Sequence, residues 1–142
     1  PSMESPVPPP DDDELVMGQG HVLLVDDEQL VRRFAEVAIR NLGYTVSVCS
    51  DGQEAIAFFR RHHHEIALVI LDLIMPKMTG VDVFRELQRI DPNVKVLIAS
   101  GFSHAEIAEE IMKAGAVGFI KKPFQIDRLS QEIGRHIGID IR

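Results

Sequence analysis

From His21 onward, short and continuously apolar runs alternate with longer stretches in which apolar residues recur every three to four positions. Runs of the first kind predict strands buried on both faces; the second pattern predicts amphipathic helices. Strands are expected at 21–26, 45–49, 66–72, 95–99 and 117–121. Between and after them, helical spacing links Leu30, Phe34, Val37, Ala38 and Leu42, then Ala55, Ile56 and Phe59, then Phe84, Leu87 and Ile90, then Ile107, Ala108, Ile111 and Met112, and last Leu129, Ile133 and Ile137. The punctuation agrees: Gly43 follows the first helix, Ser50-Asp51 precedes the second, Asp91-Pro92 stops the third and Gly115 ends the fourth. A helix after every strand, with short connections, implies a doubly wound parallel sheet of five strands flanked by five helices. The runs at 21–25, 66–71 and 96–99 are apolar throughout and belong inside the sheet, whereas Thr45-Val46-Ser47-Val48 alternates and Val117-Gly118-Phe119 is broken by glycine, as edges tolerate. The order 2-1-3-4-5 satisfies this and sets the first and third strands side by side at a switch point, where such sheets bind ligands.

That order concentrates charge. Asp26 and Asp27 end the first strand, and Asp72 ends the third, in Val69-Ile70-Leu71-Asp72-Leu73-Ile74-Met75-Pro76. Two unit charges about 4 Å apart repel by roughly 4 kcal/mol at an effective dielectric near 20, so three ionised carboxylates need a proton or a cation among them. A hard divalent ion with oxygen ligands, most naturally Mg2+, suits the set and would draw in the oxygens of a phosphoryl group. Ser100 and Lys122 end the fourth and fifth strands on the same edge, where a hydroxyl and an ammonium suit phosphoryl oxygens. Singly these residues are ordinary: Asp26 or Asp27 as a helix cap, Asp72 as a loop acid, Lys122 as a surface lysine and Ser100 as a turn residue. Their coincidence at four strand ends favours a site.

Composition narrows the setting. The chain has 142 residues, enough for one domain with a hydrophobic core. Its net charge of −7 is concentrated near the start: five of its 22 acids and none of its bases lie in residues 1–20, leaving 17 acids against 15 bases in the remainder. No basic stripe for nucleic acid is visible. Residues 1–20, with Pro6, Pro8, Pro9 and Pro10 followed by an acidic run, lack the apolar surface to offset chain entropy and are expected to form a disordered linker ahead of a domain at 21–142. The single cysteine, Cys49, excludes an intramolecular disulfide, and no apolar stretch has membrane-spanning length, so a cytoplasmic setting without membrane contact is expected. His62-His63-His64 reads as a solvated helix end, because consecutive helical residues point apart.

Four motifs, Val25-Asp26-Asp27-Glu28, Leu71-Asp72-Leu73-Ile74-Met75-Pro76 with Met78 and Gly80, Ala99-Ser100-Gly101, and Lys121-Lys122-Pro123-Phe124, together resemble the receiver domains of two-component response regulators. The resemblance implies a flavodoxin-like (CheY-like) α/β fold and a phosphorelay role. By it, Asp72 accepts a phosphoryl group from a histidine kinase or histidine phosphotransfer domain. Asp26, Asp27 and Asp72 hold Mg2+ with the backbone carbonyl of Ile74, Lys122 pairs with the phosphate, and Ser100 and Phe119 take the switch positions. Phosphorylation would then remodel the face formed by the fourth helix, fifth strand and fifth helix, which is also the expected homodimer surface. The domain's own chemistry is confined to itself, so it is not expected to be an enzyme in isolation. Ile74 and Phe102 stand where well-known members often carry polar residues that position water, which leads us to expect slow self-dephosphorylation. The Pro-rich acidic leader and the Ser-Gly-Phe loop most resemble the C-terminal receiver of a hybrid sensor histidine kinase, a parent protein that can be membrane-anchored as a whole; a stand-alone regulator is the alternative. A Mg2+-dependent aspartyl-phosphate phosphohydrolase is the competitor of another class, and it is disfavoured because such enzymes usually place an acid where Ile74 stands.

Overall fold

The computed structural model describes residues 19–101 and 105–137, so all but the last two positions of the expected linker, and Phe102, lie outside the described residues. The elements run β1 His21–Val25, α1 Gln29–Asn41, β2 Thr45–Cys49, α2 Gly52–His62, a 3-10 turn His63–Glu65, β3 Leu68–Asp72, α3 Gly80–Ile90, β4 Val96–Ser100, α4 Ala105–Ala114, β5 Gly118–Lys121 and α5 Ile126–His136. All four strand pairings are parallel and the order is β2-β1-β3-β4-β5, as the apolar pattern requires. Boundaries move by one or two residues from the sequence reading: β3 starts at Leu68, separated by two residues from the 3-10 turn, and β4 extends to Ser100.

Alternation within the strands divides the core in two. Leu23, Val25, Val69, Leu71, Val96 and Ile98 face Ala55, Phe59, Val83, Phe84, Leu87 and Ile111 from α2, α3 and α4. Val22, Leu24, Leu68, Ile70, Leu97 and Ile120 face Ala35, Ala38, Ile39, Leu129 and Ile133 from α1 and α5. The caps use local chemistry. Asp51 accepts from Glu54 N at 2.8 Å and Thr79 from Asp82 N at 3.2 Å, while Gly43 and Gly115 supply the left-handed backbone after α1 and α4.

One part of the periodicity reading is overturned. Leu30, Phe34 and Val37 are 82%, 49% and 58% exposed, so they form the outer face of α1. The helix carries two overlapping apolar stripes, and the one turned inward contains Ala35, Ala38, Ile39 and Leu42, whose small alanines let it lie close on the sheet. Met112, expected in the core, is 38% exposed on α4.

Candidate functional site

Register builds the site. Val25 pairs with Leu71, so the next residues, Asp26 and Asp72, leave the sheet side by side. Asp26 and Asp72 share strand parity with Leu24 and Ile70, which places them toward α1 and α5. Lys122 follows β5, its backbone N bonded to Ser100 O at 2.8 Å, and its peptide bond to Pro123 is cis. Its ammonium lies 2.9 Å from Asp26 Oδ2, 3.2 Å from Glu28 Oε1 and 3.5 Å from Asp72 Oδ2. The structure thus brings together Asp26, Asp27, Asp72 and Lys122, residues far apart along the chain. Asp27, Glu28, Asp72, Ile74, Ser100, Gly101 and Lys122 line one open cavity of about 340 Å³.

Asp26 and Asp72 are among the few buried polar residues, 1% and 4% exposed. Burial is the main reason the Asp72 carboxyl is pushed up to about 7; the Asp26 charge adds to it, Lys122 opposes it, and Asp27 and the Ile74 N–H make smaller contributions of opposite sign. Burial works against the charged Lys122 ammonium, but contact with Asp26 and the Asp72 and Glu28 carboxylates outweighs it, so Lys122 titrates above its usual range.

Oxygens of Asp26, Asp27 and Asp72 come within 4.8 Å of one another, and this is the one group of potential metal ligands among the described residues. Asp26 Oδ2 is fully enclosed and, despite its ion pair, receives no hydrogen bond of good geometry. An all-oxygen donor set with spare lone pairs and excess negative charge fits a small hard cation such as Mg2+. Ser100 is buried and its hydroxyl donates to Gly101 O at 3.2 Å. Phe119 is half-buried on β5 and lines a neighbouring cavity of about 360 Å³ against α5. Ile74 is 43% exposed and lines the acidic cavity. The three histidines close α2 and its 3-10 turn, with His62 3.4 Å from Glu65.

The pattern reading gave Glu28 no role in the site. It occupies the cap position of α1, yet its side chain caps nothing and instead hydrogen-bonds Lys122. The visible signal was a third consecutive acid after Val25, which helix-start statistics absorb.

A family profile described as the response regulator receiver domain matches residues 22–134. The chemotaxis protein CheY of Thermotoga maritima is 35% identical over 115 residues, covering 80% of this chain and 94% of CheY. The sensor kinase CckA of Brucella abortus is 33% identical over 116 residues, covering 82% of this chain but only 12% of the kinase. A response regulator receiver domain protein from Clostridium thermocellum has a solved structure that superposes with a TM-score of 0.80 at 30% identity, over 83% of this chain and 94% of that one.

Proposed function

This chain belongs to the response regulator receiver family, and from that premise we propose that it is a phosphoryl-accepting switch with Asp72 as its acceptor. The observation that carries the reading is the Asp72 carboxylate beside Asp26 and Asp27, with the Lys122 ammonium 3.5 Å away at the mouth of one cavity. An Asp72 oxygen attacks phosphorus, an O–P bond forms, and the donor's P–N bond breaks with its electron pair left on the histidine nitrogen, which takes a proton from solvent. Mg2+ held by Asp26, Asp27, Asp72 and the Ile74 carbonyl would offset the charge gathering on the phosphoryl oxygens. Lys122 orients the incoming group. Ser100 leaves Gly101 O to donate to a phosphoryl oxygen, and Phe119 moves into the space it vacates. The output surface is the α4, β5 and α5 face, which would also serve a homodimer.

The partner is a histidine kinase or histidine phosphotransfer domain, residues 1–20 are the tether, and the setting is cytoplasmic. The similarity to a sensor kinase favours a hybrid kinase as the parent protein. No helix among the described residues is long and apolar enough to cross a membrane.

Acetyl phosphate tests the reading. With Mg2+, intact-mass spectrometry should show one phosphoryl group per chain, on Asp72, and EDTA should prevent it. Rapid turnover with no phosphorylated chain accumulating would identify a hydrolase and inertness a pure binding module, and either would overturn the proposal.

A protein donor needs a seat beside this cavity. Leu30 opens α1 two residues after Glu28, Ile74 lines the cavity and Ile126 opens α5, and these exposed apolar side chains belong to the elements that surround the site. Leu30→Glu should slow transfer from a phosphohistidine protein about tenfold or more, since a buried interface charge lacks a partner. Its rate with acetyl phosphate should match wild type. Equal slowing with both donors would place the donor surface elsewhere.

A further inference from the structure

Lys122 makes three carboxylate contacts in the resting protein, and only the one to Glu28, at 3.2 Å, has hydrogen-bond geometry. An ammonium has three protons to give, and three acids surround it. The Glu28 carboxylate holds the one well-directed bond among them, so a phosphoryl oxygen arriving on Asp72 competes with these carboxylates for the ammonium. Asp26 is buried at the back of the site and Asp72 is the group being modified, which leaves Glu28, whose side chain is 61% exposed.

The backbone around Glu28 is built for such a swing. Asp26 Oδ1 accepts from Glu28 N at 2.9 Å, Glu28 O accepts from Arg32 N at 2.9 Å, and Arg32 Nη1 donates to Asp26 O at 2.8 Å. The main chain is thus fixed on both sides while the carboxylate, which caps no helix N–H, has Lys122 as its one partner among the described residues. Moving it costs one solvent-exposed contact and no secondary structure.

We propose that Glu28 is a positioning latch: its carboxylate stands in for a phosphoryl oxygen on Lys122, and acceptance requires the two to exchange. This rests on the receiver reading. In the step itself Asp72 oxygen bonds to phosphorus, the bond from phosphorus to the donor breaks with its electrons on the donor, and Lys122 turns from Glu28 to the new phosphoryl oxygen without losing its proton.

Two variants separate a latch from bulk charge. Glu28→Gln removes the charge, whereas Glu28→Asp keeps it but falls one methylene short of Lys122. Both should raise the rate of modification by acetyl phosphate with Mg2+ about two- to fivefold, the range set by an exposed ion pair. In metal-free protein, the Lys122 ammonium should give a 15N-detected proton signal in wild type, assigned by its loss in Lys122→Met, that broadens in both variants as exchange with water quickens. If Glu28→Gln alone is faster and the ammonium signal is unchanged, the effect is bulk charge and the latch is wrong. Unchanged or slower modification in both also overturns it. A wild-type protein that acetyl phosphate does not modify would instead sink the receiver reading.

Discussion

Asp72→Asn should abolish phosphoryl acceptance and, at the same time, make the metal-free protein more stable at neutral pH. The first effect follows from the nucleophile: an amide oxygen cannot form the acyl phosphate, so acetyl phosphate should leave the variant's mass unchanged. The second follows from burial. Asp72 is held up to about 7 by its enclosed position and the Asp26 charge, well above the roughly 4 of an unfolded aspartate. Between those values the folded protein binds a proton that the unfolded chain has lost. This contribution to stability is therefore complete below about pH 4, declines as pH rises, and is gone above about 7. Wild type at pH 8 carries a penalty of roughly 2–4 kcal/mol that asparagine does not. In thermal melts with EDTA, the variant should exceed wild type by several degrees at pH 8, and the gap should close toward pH 4.5. Millimolar Mg2+ should raise wild type and leave the variant nearly unchanged, because an ion that binds only the folded state stabilises it by mass action. Equal pH profiles for the two proteins would show that Asp72 is not the strained group.

This coupling explains why the site was legible in the sequence while part of the helical packing was not. Three carboxylates at two strand ends, two of them buried, are improbable in a structural protein because burying charge without compensation is so costly, and the parallel register that joins Val25 to Leu71 then fixes their meeting point. Strand order could be read because edge and interior positions differ in pattern, as Thr45–Cys49 and Leu68–Asp72 do. The inward face of α1 could be read only in part: Ala38 and Leu42 belong to the expected stripe and are buried, but Leu30, Phe34 and Val37 also recur every three to four residues, and hydrophobicity alone ranks such large side chains first. Close packing against a sheet prefers the smaller ones, a tertiary consideration that periodicity does not contain. Glu28 escaped for a related reason: an acid at a helix start already has a local explanation, and its contact with Lys122 spans 94 positions.

Gly80→Ala should be the most damaging small change outside the charged cluster. Gly80 opens α3 immediately after the loop that leaves Asp72, and its N–H donates to Leu73 O at 2.8 Å. A methyl group there would lie 2.8 Å from Leu73 Cα, 2.9 Å from Leu73 O and 3.1 Å from Asp72 O. These are main-chain atoms of a buried segment, with Leu73 N itself tied to Ala99 O at 2.9 Å, so no side-chain rotation relieves the overlap. Either α3 must retreat from the core formed by Val83, Phe84 and Leu87, or the backbone carrying Asp72 must shift. Overpacking of this kind costs about 1–3 kcal/mol, and denaturant melts should show a loss in that range. Because Asp72 moves relative to Lys122 and the other acids, modification by acetyl phosphate should also slow by about tenfold or more in the fraction that remains folded, since displacements near 1 Å can cost about a hundredfold. Gly101→Ala is the matched comparison for stability: among the described residues an added methyl group meets nothing within 4 Å, and the change should stay within about 0.5 kcal/mol of wild type. A Gly80→Ala protein with wild-type stability and rate would mean that the loop after β3 yields freely, and that the placement of Asp72 does not depend on how closely α3 approaches it.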